Sequence, residues 1–145
     1  MPPAALVQVS IDGASVGNPG PAGIGVVFLD AQGTPLAKLS KYLGDTTNNV
    51  AEYLALLYAL QEAQARGFRR LAVKTDSELL AKQLAGEYKV RDATLRLFYD
   101  LARHLMGSFE QCTVAHISRT QNAPADRLAG EAVESRFDTS LKTVL

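Results

Sequence analysis

The stretch ALVQVSIDGASVGNPGPAGIGVVFL, residues 5–29, decides the fold. Val, Ile and Phe dominate Ala5–Ile11 and again Gly23–Leu29, with Gly and Pro between them, which is the pattern of two strands joined by a loop. A turn signal at Gly33–Pro35 introduces a third strand, Leu36–Leu43, so three consecutive strands can pair as an antiparallel meander. From Asn49 the period becomes helical. Val50, Leu54, Leu57 and Gln61 share one face, Tyr53 and Leu60 lie beside it, and Gly67 ends the run.

Leu71–Thr75 is a short β-type run, and Ser77–Ala85 is a helix that stops at Gly86. Ala93–Met106 places Leu95, Phe98, Ala102 and Leu105 on one stripe and closes at Gly107. Phe109–Ile117 is a fifth strand. Pro124 opens a last helix through Leu128, Ala132 and Val133, Pro being well placed in a first helical turn. The order βββαβααβα implies an α/β domain, one mixed sheet with helices packed on it. The 145 residues suit a single domain spanning 1–145, with residues 138–145 weakly patterned and read as a loose tail.

Bulk properties set limits on function. The 15 Lys and Arg balance the 15 Asp and Glu, so no overall basic field advertises nucleic acid, and such a partner would need the local cluster of cations between Arg66 and Arg103. The lone Cys112, in the run FEQCTVAHI, reads as a small buried hydrophobe and gives no sign of an oxidising compartment. No basic n-region opens MPPAALVQVS, and no run approaches the roughly 20 apolar residues of a membrane span. A cytoplasmic protein without membrane contact is expected.

Four carboxylates stand where predicted elements begin or end: Asp12, Glu52, Asp76 and Asp126. Each has a local explanation. Asp12 with Gly13 is a turn signal, Glu52 has the spacing to cap back onto Asn49, Asp76 or Ser77 caps the next helix, and Asp126 suits a helix dipole. Their combination says more, because four acids meeting at the ends of neighbouring elements repel unless cations are bound. Hard Mg²⁺ or Mn²⁺ prefers such oxygen ligands, no His/Cys set for zinc is present, and two ions about 3.5–4 Å apart support displacement at phosphorus.

The runs IDGASVGNPGPAGIG, TTNNVAEYLAL, TDSELL and RTQNAPADRLA closely resemble, in order and spacing, the motifs of the type 1 ribonuclease H family. The resemblance implies the ribonuclease H-like fold, a five-stranded mixed sheet of order 3-2-1-4-5. It also implies a metal-dependent endoribonuclease that hydrolyses the RNA strand of RNA/DNA hybrids with two Mg²⁺ or Mn²⁺ ions, leaving 5′-phosphate and 3′-hydroxyl ends. The family's metal-binding acids match Asp12, Glu52, Asp76 and Asp126. Polar positions that contact the hybrid match Asn18, Thr47, Asn48 and Asn49, and TTNN is at the same time a helix-capping cluster.

Three departures from the family pattern are visible. The loop ISRTQNAP holds Arg119 where many members have His, which resembles a branch with Arg there; Arg cannot act as a base at ordinary pH but can bind phosphate or assist the leaving group. His116 is expected as a partly buried residue ending the fifth strand. GEYKVRDATL joins the two middle helices without the basic protrusion of longer members, leaving Lys89 and Arg91 as candidate DNA-strand contacts, and Glu78 replaces an amide found in several members. A monomer without organic cofactor is expected. Two alternatives remain: a non-catalytic hybrid-binding module, and a same-fold nuclease with another nucleic-acid substrate.

Overall fold

The computed structural model describes residues 4–136, so the expected loose tail at 138–145 lies outside the described residues. Strands β1 (Leu6–Ser15), β2 (Gly20–Leu29) and β3 (Pro35–Thr46) form the antiparallel meander. Helix α1 (Asn48–Ala65) returns the chain so that β4 (Arg70–Thr75) pairs parallel with β1. Helices α2 (Glu78–Leu84) and α3 (Ala93–Met106) lead to β5 (Gln111–His116), parallel to β4, and α4 (Ala123–Glu134) closes the described chain. The sheet order is β3-β2-β1-β4-β5, the order expected from the motifs.

Strand alternation divides the two faces of the sheet. Val7, Val9, Ile11, Ile24, Val26, Phe28, Leu71 and Val73 enter the main core with α1 and with Leu80, Leu84 and Leu95. On β2 the intervening Gly23 and Gly25 face α4, whose Ala125, Ala129 and Ala132 are all buried. Glycine opposite alanine lets the helix backbone lie almost on the sheet. A Cβ at Gly25 would stand 2.1 Å from the Ala125 carbonyl oxygen.

Several boundaries differ from the sequence expectation for physical reasons. β1 does not turn at Asp12–Gly13 but continues to Ser15, because Gly25, Ile24, Gly23 and Ala22 of β2 supply ladder partners through that point. The expected α1 stripe is also incomplete: Gln61 is exposed and Val50 and Leu54 are half-buried, whereas Ala51, Ala55, Leu56, Ala59 and Ala63 are buried. Lying between the sheet and α3, this helix buries most of its circumference, and no single stripe can describe it. The expected α3 stripe is correct, with Leu95 and Ala102 buried and Phe98 and Leu105 half-buried.

β5 is an edge strand and is shorter than Phe109–Ile117. His116 ends it as expected but is exposed rather than partly buried, since nothing pairs beyond the edge. Cys112 is half-buried, and burial pushes its thiol up to about 11. Among the described residues no helix is long and apolar enough to cross a membrane.

Candidate active site

The acids gather at the carboxyl ends of the adjacent parallel strands β1 and β4, where α/β sheets open their crevices. Asp12 lies on β1 one residue past the Ile11–Thr75 pair, and Asp76 directly follows Thr75. The Thr75 hydroxyl accepts the Ser77 amide at 3.0 Å and the Ser77 hydroxyl caps α2 by accepting Leu80 N–H at 3.1 Å, so the turn that carries Asp76 is fixed on both sides. Capping thus belongs to Ser77, which leaves the Asp76 carboxylate free for the cluster.

Glu52 arrives from α1 by a different route from the one its spacing suggests. Thr47, not Asn49, is the N-cap, its hydroxyl accepting Val50 N–H at 3.2 Å. The Glu52 carboxylate instead accepts the Gly13 amide at 2.8 Å. That bond requires α1 to touch β1, and only glycine allows it: a Cβ on Gly13 would fall 2.1 Å from the Ala51 carbonyl oxygen. Asp12, Glu52 and Asp76 each offer an oxygen within 4.8 Å of the others.

Asp126, in the first turn of α4, borders the same cleft of about 270 Å³ with the three other acids and Asn48, Ser77 and Arg119. Its carboxylate is 41% exposed and faces the Arg119 guanidinium at 4.0 Å, so it sits at the rim while Asp12 and Glu52 are each 4% exposed. Burial, reinforced by Glu52, Asp76 and Asp126, pushes the Asp12 carboxyl up to about 9. Burial also pushes Glu52 up to about 8, against the Gly13 amide and Arg119, which favour its anion.

Asp12 Oδ2 is buried and has no hydrogen-bond partner. Native structures rarely leave such an oxygen unsatisfied. A divalent cation held by Asp12, Glu52, Asp76 and Asp126 would satisfy it and remove the mutual repulsion, so the donor set fits a hard cation such as Mg²⁺ or Mn²⁺.

The other expected site residues divide by location. Asn18 accepts the Asn48 amide at 3.0 Å, and Asn48 accepts the Ser15 amide at 3.4 Å, which ties the glycine-rich loop to the start of α1 at the cleft mouth. Thr47 and Asn49 flank Asn48 there. Lys89 lies apart, in the connector between α2 and α3, in a separate notch with Tyr88, Arg91 and Arg96.

Sequence reasoning passed over Asn122. It is fully buried and donates from Nδ2 to the Ile11 carbonyl at 2.8 Å, joining the residue before Asp12 to the turn that starts α4. No periodic signal marks it, since it lies within the polar run RTQNAP. Asn122→Ala leaves that carbonyl without its partner, and urea unfolding should show a loss of about 1–3 kcal/mol.

A 3-2-1-4-5 sheet with this carboxylate cleft defines a ribonuclease H-like domain. The sequence matches the family described as reverse transcriptase-like over residues 10–132, and the chain belongs to that family, among its type 1 ribonuclease H members. It resembles the crystal structure of RNase H1 from Halobacterium salinarum at 40% identity and a TM-score of 0.87, covering 90% of this chain and 98% of that one. LC11-RNase H1, crystallised in complex with an RNA/DNA hybrid, is 41% identical with a TM-score of 0.86, covering 90% of this chain and 99% of that one. The N-terminal RNase H domain of a Mycobacterium tuberculosis protein is 37% identical with a TM-score of 0.88, covering 94% and 99%. The chain spans 64% of the length of the Halobacterium ribonuclease HI and 36% of that of the mycobacterial bifunctional protein.

Proposed function

We propose that this protein is a metal-dependent endoribonuclease that hydrolyses the RNA strand of RNA/DNA hybrids by a two-metal mechanism, leaving 5′-phosphate and 3′-hydroxyl ends. The observation that carries the reading is the convergence of Asp12, Glu52 and Asp76 within 4.8 Å around a buried oxygen that lacks a partner. A protein serving only to bind hybrid gains nothing from burying acids beside phosphates, which disfavours that alternative. The hybrid held by LC11-RNase H1 supports the choice of substrate. Within this reading the chain acts as a single domain, a cytoplasmic monomer without an organic cofactor.

Asp12, Glu52, Asp76 and Asp126 would hold Mg²⁺ or Mn²⁺. Bound there, such ions supply a lowered pKa for the attacking water and charge stabilisation for the departing oxygen. The chain supplies the orientation. Gly13 N–H fixes Glu52, the Thr75–Ser77 turn fixes Asp76, and Asn122 anchors the backbone beside Asp12. Asn18, Thr47, Asn48 and Asn49 present amides and hydroxyls at the mouth, groups suited to phosphate and sugar contacts of the hybrid. Lys89 gives a cation for the DNA strand.

Arg119 stands at the rim beside Asp126. It would bind the phosphate under attack. Arg119→Ala is expected to lower kcat/KM by about tenfold, or ~1.4 kcal/mol of transition-state stabilisation. Unchanged turnover and affinity would remove Arg119 from the site. The function itself is tested with labelled RNA/DNA hybrid, duplex RNA and duplex DNA in Mg²⁺ or Mn²⁺. Metal-dependent cleavage of the RNA strand of the hybrid is expected; binding without cleavage would leave a binding module, and cleavage of a duplex with the hybrid spared would reassign the substrate.

A further inference from the structure

Two polar side chains sit in the apolar interior without belonging to the acid cluster. Tyr53 of α1 is 1% exposed and Gln83 of α2 is 5% exposed. Burying a hydroxyl and an amide is costly unless both are hydrogen-bonded, so the pair is best understood from where its bonds lead. The Tyr53 hydroxyl donates to Gln83 Oε1 at 2.6 Å, and Gln83 Nε2 donates to the Lys89 carbonyl at 3.3 Å. Burial, with Tyr99 nearby, pushes the Tyr53 phenol up to about 12, so it remains a donor at neutral pH.

This chain of bonds runs from α1 through α2 to the exposed connector formed by residues 85–92. Other contacts hold the same segment: Arg103 Nη1 donates to the Leu84 carbonyl at 3.2 Å, and the Lys82 ammonium lies 5.1 Å from the centre of the Tyr88 ring. The connector walls a notch of about 320 Å³ in which Lys89, Arg91 and Arg96 gather. A free link would lose much of any phosphate affinity to the entropy of ordering it. A fixed backbone avoids that loss.

We propose that Tyr53 and Gln83 are positioning residues for nucleic-acid binding: they fix the Lys89 backbone so that the connector cations meet a strand phosphate at a set distance from the acid cluster. The proposal rests on the hybrid-nuclease reading and adds how the grip is aligned with the cutting site. Glu52 and Tyr53 are consecutive. One turn of α1 therefore holds an acid against Gly13 and, through Gln83, the connector.

The test compares wild type, Tyr53→Phe, Gln83→Leu and Lys89→Ala on labelled hybrid, with kcat and KM measured over a series of KCl concentrations and Tm measured in parallel. Both interior variants should raise KM about three- to tenfold and reduce the slope of log KM against log[KCl] by up to about 1, as Lys89→Ala does, with kcat changed by less than about twofold. Tyr53→Phe keeps the ring and secures a folded variant. A defect in Lys89→Ala with wild-type KM and slope in both interior variants would overturn the positioning role alone. Wild-type KM and slope in Lys89→Ala would remove the phosphate contact and the proposal with it. If kcat falls in step with Tm while KM holds, the pair serves the core only. A wild type that cleaves no hybrid would sink the underlying reading instead.

Discussion

Asp12→Asn is expected to reduce hybrid cleavage about a thousandfold or more, equivalent to ~4 kcal/mol, because it removes a charged oxygen from the centre of the proposed ligand set. The same change should stabilise the metal-free fold. The folded-state carboxyl of Asp12 is pushed up to about 9 from an ordinary 3.8, so folding favours its protonated form. Above about pH 4 the unfolded chain ionises freely while the folded chain resists, and stability falls as pH rises until the folded group ionises near pH 9. Glu52 adds a smaller loss of the same sign, ending near pH 8.

Asn at position 12 has no charge to resist. In EDTA at pH 8 the variant should melt about 3–8 °C above wild type, and its Tm should depend less on pH. Saturating Mg²⁺ or Mn²⁺ should narrow the difference by stabilising the wild type more. A variant that melts below wild type in EDTA at pH 8 would show that the acids do not repel as the geometry requires.

Gly25→Ala should have the largest effect on stability. Its Cβ would lie 2.1 Å from the Ala125 carbonyl oxygen, 2.7 Å from the Ala129 amide nitrogen and 2.7 Å from the Leu128 Cβ. Two of these neighbours are helix backbone, which no rotamer change can move aside. α4 must lift from the sheet, at a cost of about 3 kcal/mol or more, a large part of the roughly 5–15 kcal/mol that holds a domain together. Lifting α4 also carries Asp126 away from Asp12, so turnover per folded molecule should fall as well.

The control is Gly130→Ala in the same helix, where a Cβ meets nothing within 4 Å. It should raise stability by about 0.5–1 kcal/mol through helix propensity. Urea unfolding, with activity corrected for the folded fraction, separates the two effects. A Gly25→Ala protein as stable and as active as wild type would contradict the close approach of α4.

The elements were legible where burial followed a simple period. α3 buries one stripe and was assigned from its spacing, while β2, covered on both faces, was assigned from its run of Val, Ile and Phe. α1 lies between two layers and shows no single stripe, so its buried face could not be read. The four acids were found by their flanking motifs, yet the reason each carboxylate is held where it is was hidden. Glu52 matched a capping spacing but bonds to Gly13 of the strand beneath it, 39 residues away.

Glycine was the most ambiguous letter. Next to Asp12, Gly13 read as a turn and proved to be a strand residue on which α1 rests. Gly25 read as one more residue of the strand Gly23–Leu29 and proved to be the seat of α4. A sequence records the absence of a side chain and not what fills the space. Asn122 was opaque for a similar reason, since its partner is the backbone of a strand at the other end of the chain.

The bond from Asn122 to Ile11 spans 111 residues, and Gly25 takes its cover from residues 125–129. During synthesis β1 and β2 leave the ribosome before the element that completes the cleft. The nascent chain therefore carries three of its four acids without the helix that brings in the fourth. The cleft is complete only once α4 has emerged and docked on strands made more than 90 residues earlier, an order that makes its assembly a long-range, late-closing contact rather than a local one.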